Sequence, residues 1–254
     1  MMKKTRRNKA GRTLNPVLYN AGDMQWYRRE LMVLVRPMSQ EVRAFAQQTF
    51  SASLLRSGLN ILSERWISTF SDRAESLAGD FCARSGNSGD RSLLAALRKE
   101  GMAVEFQITP AMQEVQQAVI AENVALIKSI PQQYFTRIES LVMESVSRGG
   151  DLKALSEQLS HQFNVTARRA QFIARDQTRK ATSALSATRQ MSVGIEEGEW
   201  LHSGGGNKPR PGHVKAGKEK RRFKLAKGCL IDGEYIMPGQ LIHCGCGWRP
   251  VIPF

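Results

Sequence analysis

The chain has 254 residues, 41% of them hydrophobic, so it is long enough to bury one large core or two smaller ones. It carries 37 lysines and arginines against 23 acidic residues, and the formal charge of +14 favours a polyanionic partner such as nucleic acid. No apolar stretch approaches the roughly 20 residues of a transmembrane helix, and the basic N-terminus lacks the apolar part of a secretory signal. We therefore expect a folded protein that is made in the cytoplasm and does not contact membranes.

The first part of the chain combines a basic tail with helical patterns. Residues 1–13 contain no acidic residue and are predicted to form a flexible tail. Beyond Pro16 the apolar residues recur every three or four positions, which predicts a helix that Pro37 should break or kink. A second helix is predicted over about residues 60–82, then a turn or loop at "RSGNSGD", residues 84–90, and a short helix over about 91–99. Residues 14–108 are thus predicted as one helical region.

Two further long helices are predicted between residues 109 and 195. Thr109-Pro110 is a good helix start, Pro131 should kink or interrupt that helix, and Gly149-Gly150 should end it. Asp151 can cap the next helix, and Thr166 can cap a longer one that runs to about residue 193 or 194.

This last helix, which contains "IARDQTRKATSAL", has a narrow apolar face. Asp176 and Gln177 interrupt the apolar row, and we expect them to join a buried or half-buried polar network. The inner face is predicted to consist of Ala170, Ile173, Ala174, Ala181 and Leu185.

After Gly194 glycine and proline become frequent and helical periodicity is lost. The segments "GEWLHS", "GEYIMP", "QLIHC" and "GWRPVI" are predicted as short strands between turns. The predicted fold class is therefore mainly α, with a long-helix N-terminal region and a small α+β C-terminal module over residues 196–254.

The C-terminal module contains a group of residues that could bind a metal. Thiolate and imidazole ligands suit tetrahedral zinc, and the candidate ligands are His213, Cys229, Cys244 and Cys246, with His243 as a substitute. The spacing of Cys244 and Cys246 equally fits two side chains on one face of a strand.

Two other readings of these cysteines stay open. One is a disulfide, either between Cys244 and Cys246 or between Cys229 and one of them. The other is nucleophilic catalysis, with Cys244 or Cys246 beside His213 or His243 and with Asp232 or Glu234 as the orienting acid.

The order of motifs in the second half of the chain resembles a known family. "IARDQT" is followed by "GI", a tryptophan-bearing strand, "RPGH", a glycine, "PG", cysteine-x-cysteine and a proline. This order is similar to the phage head morphogenesis domain of the Mu protein F-like minor head proteins, over roughly residues 110–254. The motif residues that carry the resemblance include Arg175, Asp176, Gln177, Trp200, Arg210, His213, Cys244 and Cys246.

The resemblance implies a structural protein of the virion that is not an enzyme. Its expected partners are the portal protein, the major capsid or scaffolding protein, and double-stranded DNA, at the capsid interior or the portal vertex. The helical region at residues 14–108 would dock onto these partners, residues 109–195 would form the helical part of the head morphogenesis domain, and no cofactor other than a structural zinc ion is expected.

The charge distribution agrees with a DNA partner. Because the basic clusters contain few aromatic residues, we expect phosphate contacts without sequence specificity. The alternative is a metal-dependent, nuclease-like enzyme that processes nucleic acid. The residues predicted to contact DNA are Lys3, Lys4, Arg6, Arg7, Lys215, Lys218, Lys220, Arg221, Arg222 and Lys224.

Overall fold

The computed structural model describes residues 12–49, 52–147, 152–205 and 208–252. Lys3, Lys4, Arg6 and Arg7 lie outside the described residues, as do the predicted helix stop at Gly149-Gly150 and the predicted cap at residue 151. Within the described ranges, no helix has both the length and the apolar character that crossing a bilayer requires.

Within the same ranges, long helices fill the N-terminal three quarters of the chain and short strands follow, which confirms the predicted fold class. The helices are α1 (Ala21–Gln48), α2 (Ala52–Lys99), α3 (Pro110–Ser147) and α4 (Leu152–Ser192). The C-terminal elements are β1 (Glu197–Leu201), α5 (Pro211–Lys218), β2 (Arg222–Lys224), β3 (Cys229–Ile231), β4 (Glu234–Ile236) and β5 (Gly247–Val251).

The predicted turn or loop at residues 84–90 is wrong, because α2 continues through it. Close packing explains this helix. A Cβ atom on Gly89 would lie 3.1 Å from the Ser186 hydroxyl, and one on Gly86 would lie 3.9 Å from a Leu185 methyl group. The glycines therefore let α4 approach α2 in this part of the chain, and packing outweighs their low helix propensity.

Neither proline breaks its helix: α1 continues through Pro37, and α3 continues through Pro131. Pro37 has no N–H to donate to the Val33 carbonyl four residues earlier in the helix. Both residues are exposed, so this carbonyl can bind water instead. The predicted strand at "QLIHC" is also wrong, because the segment forms turns in which the Cys244 amide donates to the Leu241 carbonyl at 2.8 Å.

Some of the predicted helix ends are confirmed and one is wrong. The Thr109 hydroxyl accepts from the Met112 amide at 3.2 Å, as expected for a cap. The helix α4 ends at Ser192, close to the predicted end at residue 193 or 194, and Gly194 follows it with φ +79°. Thr166, in contrast, lies inside α4, where its hydroxyl donates to the Gln162 carbonyl at 3.0 Å, so it is not a cap.

The chain divides into two compact units, each of which is discontinuous in sequence. Unit 1 comprises residues 1–19, 85–115 and 179–254, and unit 2 comprises residues 20–84 and 116–178. The long helices α2, α3 and α4 each contribute residues to both units.

Unit 2 is a helical core that contains a buried polar network. The Tyr27 hydroxyl donates to the Asn123 side-chain oxygen at 2.9 Å, and Asn123 Nδ2 donates to Gln177 Oε1 at 3.1 Å. Gln177 Nε2 in turn donates to Glu122 Oε1 at 2.9 Å. The prediction that Gln177 joins a buried network is therefore confirmed. The polar side chains that contact it also form hydrogen bonds, as buried polar groups require.

In unit 1 the described residues form an antiparallel sheet in the order β2-β1-β5, and β3 and β4 form a separate hairpin. Trp200 on β1 is paired with Trp248 on β5, and both are 1% exposed. The other edge of β5 is covered by the N-terminal segment, where the Leu14 amide donates to the Pro250 carbonyl at 2.9 Å and the Val17 amide to the Trp248 carbonyl at 2.7 Å. The sheet and these contacts bring residues 14–17 and 247–251 into one core.

Unit 1 also contains an ion pair between α4 and α2, in which the arginine is buried and the aspartate is half-buried. The Arg189 guanidinium binds both carboxylate oxygens of Asp90, at 2.8 and 3.0 Å, and donates to the Gln107 carbonyl at 2.6 Å. It also stacks over the Phe106 ring, 4.8 Å from its centroid. Asp90 belongs to the segment that the sequence predicts as a loop, so this contact adds to the packing of that segment against α4.

Candidate functional site

Three predicted metal ligands meet inside unit 1. His213 lies on α5, and Cys244 and Cys246 lie in the segment before β5. The His213 Nδ1 atom is 3.6 Å from the Cys244 sulfur and 3.7 Å from the Cys246 sulfur. All three side chains are buried, and their ligand atoms lie within 4.8 Å of one another. This His213–Cys244–Cys246 group can hold a metal ion or share a proton.

The histidine is positioned by α5 and by a tryptophan. Pro211 occupies the first turn of α5, where a missing backbone N–H costs nothing. The helix also approaches His202 closely, because a Cβ on Gly217 would lie 2.6 Å from the His202 Cβ. The imidazole then meets the Trp200 indole edge to face, with the ring centroids 5.1 Å apart.

The cysteine segment is held by arginines that bind its backbone carbonyls. Arg210 donates to the Ile242 carbonyl at 3.1 Å, and Arg179 donates to the His243 carbonyl at 3.5 Å. His243 itself adopts φ +62°, a left-handed conformation that turns the chain just before Cys244. These contacts explain how a short loop presents two sulfurs to one imidazole.

The surroundings of the two sulfurs favour one negative charge. The Cys246 thiol and the backbone N–H groups of Cys246 and Gly239 point to the Cys244 sulfur and lower the pKa of Cys244 to about 5, against the opposing effect of burial. The Cys246 pKa is raised, because its thiol donates to Cys244 and is itself desolvated.

The other predicted site residues do not belong to this group. Cys229 is fully buried in β3, where burial raises its thiol pKa, and its sulfur is not among the three clustered ligand atoms. His243, Asp232 and Glu234 are exposed and are not in the group either. All four cysteines, which lie within the described residues, are free thiols.

The remaining motif residues are divided between the two units. Arg175, Asp176 and Gln177 belong to unit 2, and Trp200 and Arg210 belong to unit 1 with the His213–Cys244–Cys246 group. Asp176 is buried, with 6% of its surface exposed. Sequence reasoning missed Asn123, which links Gln177 to Tyr27; an asparagine in an apolar helical pattern is the signal that could have identified it.

The predicted DNA-contacting residues of the C-terminal module differ in their surroundings. Three of them have acidic neighbours: Lys215 and Arg221 contact Glu219, and Lys224 contacts Glu197 at 3.0 Å. Arg221 also donates to the Leu230 carbonyl at 2.8 Å. Arg222 is exposed on β2. Lys218 and Lys220 are exposed and form no ion pair within the part of the chain that the structure describes.

Comparison with known proteins gives one curated relative, an uncharacterized protein of Haemophilus influenzae (strain Rd). It is 28% identical over 255 residues, and the match covers 95% of this chain and 56% of the relative. The chain thus spans little more than half the length of that relative. No solved structure matches the chain.

Residues 136–248 match the model of the family described as Phage Mu protein F like protein. The matched region begins within α3 and ends within β5, so it includes the "IARDQT" helix, Trp200, α5 and both clustered cysteines. The resemblance to the Mu protein F-like family that the sequence predicts is therefore confirmed by this match.

Proposed function

We propose that this protein is a head morphogenesis protein of a tailed bacteriophage, and that it works by binding other head components. The single observation that carries the proposal is the Phage Mu protein F like match over residues 136–248. We infer a place in the virion, at the capsid interior or the portal vertex, with the portal protein and the major capsid or scaffolding protein as partners.

Packaged DNA is the second proposed partner. A charge of +14 on 254 residues favours binding to a polyanion. The ion pairs divide the cations of the C-terminal module into two sets. Lys218 and Lys220 are exposed without an ion pair in the described structure, whereas Lys215 and Lys224 each have a carboxylate within 4 Å. We expect the unpaired lysines to contribute more to phosphate binding, because the paired ones must first give up an attractive neighbour.

Matched double variants test the DNA proposal. We expect Lys218→Gln with Lys220→Gln to weaken binding to duplex DNA by several-fold, and to make the slope of log K against log salt shallower by up to about 1.8. The control, Lys215→Gln with Lys224→Gln, removes the same charge and should have a smaller effect. Equal binding by all three proteins, and by a variant that lacks residues 1–11, would refute the DNA proposal while leaving the head role intact.

The head role itself is tested by co-purification. The protein, expressed together with the portal and capsid proteins from the same genome, should co-sediment with portal oligomers or with assembled heads. Failure to associate with either assembly, in preparations where heads form, would refute the proposal.

A metal-dependent nuclease is the alternative, and the His213–Cys244–Cys246 group is the observation that favours it. Hydrolysis also needs a general base, and no carboxylate belongs to this group within the described residues. The proposal is therefore a binding role. Incubation of the zinc-loaded protein with supercoiled DNA should leave it intact, and nicking that is lost in Cys244→Ser would favour the nuclease instead.

A further inference from the structure

The geometry of the His213–Cys244–Cys246 group matches three of the four positions of a tetrahedral metal site. Zinc binds sulfur at about 2.3 Å and imidazole nitrogen at about 2.0–2.1 Å, so a tetrahedral angle places nitrogen and sulfur about 3.5–3.6 Å apart. The two nitrogen–sulfur separations here are 3.6 and 3.7 Å. Both sulfurs therefore lie where a common metal ion would require them relative to the imidazole.

An independent observation comes from Trp200. Its indole N–H is 1% exposed as part of a buried side chain, and it has no hydrogen-bond partner among the described residues. A buried donor without an acceptor costs about 1–3 kcal/mol, so such groups are rare in folded proteins. The Cys246 sulfur lies beside this indole N–H. A metal-bound thiolate at Cys246 would provide the negatively charged acceptor that this donor lacks.

Backbone N–H groups also face the two sulfurs. The amide of Gly239 faces the Cys244 sulfur, and the amide of Ser203 faces the Cys246 sulfur. Donors that hydrogen-bond to the ligands of a metal site orient those ligands and stabilise their charge. Two adjacent buried thiolates cannot both be charged without a cation, and both are deprotonated when a metal binds them.

We propose that His213 Nδ1, Cys244 Sγ and Cys246 Sγ bind one Zn²⁺ ion, and that this ion cross-links α5 to the segment before β5. Soft thiolates with imidazole select zinc over magnesium or calcium. The strands of unit 1 have only three to five residues each, so a metal cross-link would supplement a small sheet core. The site is structural, and it holds whether or not the head role is correct.

The direct test is the metal content of the full chain. Protein purified under reducing conditions without chelator should contain about one zinc ion per chain by elemental analysis. After removal of zinc, Co²⁺ should give the thiolate charge-transfer and intense d–d absorption of a tetrahedral thiolate site. Zinc far below one equivalent after incubation with Zn²⁺, together with no such cobalt spectrum, would overturn the proposal without any variant being needed.

Variants locate the ion. Cys244→Ser, Cys246→Ser and His213→Ala should each weaken zinc binding at least 10-fold in a chelator competition. The matched control is Cys229→Ser, which also removes a buried thiol from unit 1 but lies outside the group, and it should keep one zinc ion per chain. Loss of zinc in Cys229→Ser with retention in Cys244→Ser would overturn the assignment, as would a Cys244–Cys246 disulfide found by non-reducing mass spectrometry.

The stability of the same proteins provides a second measurement. Chelator should lower the melting temperature of the wild type and of Cys229→Ser, because binding to the folded state alone stabilises it. The melting temperature of a folded Cys244→Ser variant should be insensitive to chelator. Equal sensitivity in both cysteine variants would contradict the proposed site.

Discussion

The ion pair between Arg189 and Asp90 makes a prediction about the stability of unit 1. The substitution Asp90→Asn keeps the size of the side chain and one hydrogen-bond acceptor, but it removes the charge that faces the guanidinium. The Arg189 side chain is 6% exposed, so water cannot replace the lost carboxylate effectively. We therefore expect a large loss of stability from a change that removes no buried volume.

The size of this effect follows from burial. Breaking a buried ion pair by removing one partner costs about 3–5 kcal/mol. The Asp90 side chain is 24% exposed, and asparagine retains one acceptor, so we expect about 2–3 kcal/mol. The matched control is Glu100→Gln, which breaks the pair between Glu100 and Arg12 in the same unit, where the arginine side chain is 73% exposed. That change should cost less than about 1 kcal/mol.

Guanidinium denaturation followed by tryptophan fluorescence measures both changes. Trp200 and Trp248 report on unit 1 once Trp26 and Trp66, which belong to unit 2, are replaced by phenylalanine. The midpoint of the transition reported by the remaining tryptophans should fall for Asp90→Asn and hardly change for Glu100→Gln. Equal shifts for the two variants would refute the argument that burial of the guanidinium determines the cost.

Three further predictions concern other sites. A Cβ at Gly58 would overlap the Phe45 ring, so Gly58→Ala should destabilise the protein by about 1–2 kcal/mol. Gly79→Ala, with nothing within 4 Å, should stabilise it by about 0.5–1 kcal/mol. Both glycines belong to unit 2, so guanidinium denaturation of the protein that retains Trp26 and Trp66 measures these changes. Burial raises the pKa of Cys82 to about 11, so the unfolded chain loses this proton first and stability should fall between about pH 9 and 11 by up to ~1.4 kcal/mol per pH unit. Cys82→Ala should make that pH profile flatter, and an unchanged slope would contradict the assignment. Trp248→Phe removes a 2.9 Å hydrogen bond to a buried glutamine and should cost about 1–3 kcal/mol by urea denaturation, beyond the effect of lost volume.

The helical part of the fold could be predicted because its signals are local. The Thr109 cap, the stop at Gly194 and the alanine-rich face of α4 each depend on a few neighbouring residues, and the structure contains all three. The helix at residues 84–90 could not be predicted this way, since its glycines are favoured by contact with Leu185 and Ser186, which are distant in sequence. In this segment tertiary packing outweighs the low helix propensity of glycine.

The candidate site could be predicted only in part. Sequence spacing and residue type identified His213, Cys244 and Cys246, which the structure brings together. The same reasoning included Cys229, since a buried structural cysteine and a ligand cysteine look alike without coordinates. The contributions of Arg210 and Arg179 to the loop were not predictable, because each binds a backbone carbonyl, which every residue in a sequence offers equally.

The N-terminal segment beside β5 has a consequence for how the protein is made. Leu14 and Val17 leave the ribosome long before their partners Pro250 and Trp248. The contact therefore spans nearly the whole chain, and such distant pairings form slowly. Until then the outer edge of β5 is uncovered, as it would be in any fragment that begins at residue 20, and uncovered edges recruit strands from other molecules. We expect residues 12–17 to protect this edge from such pairing in newly made protein.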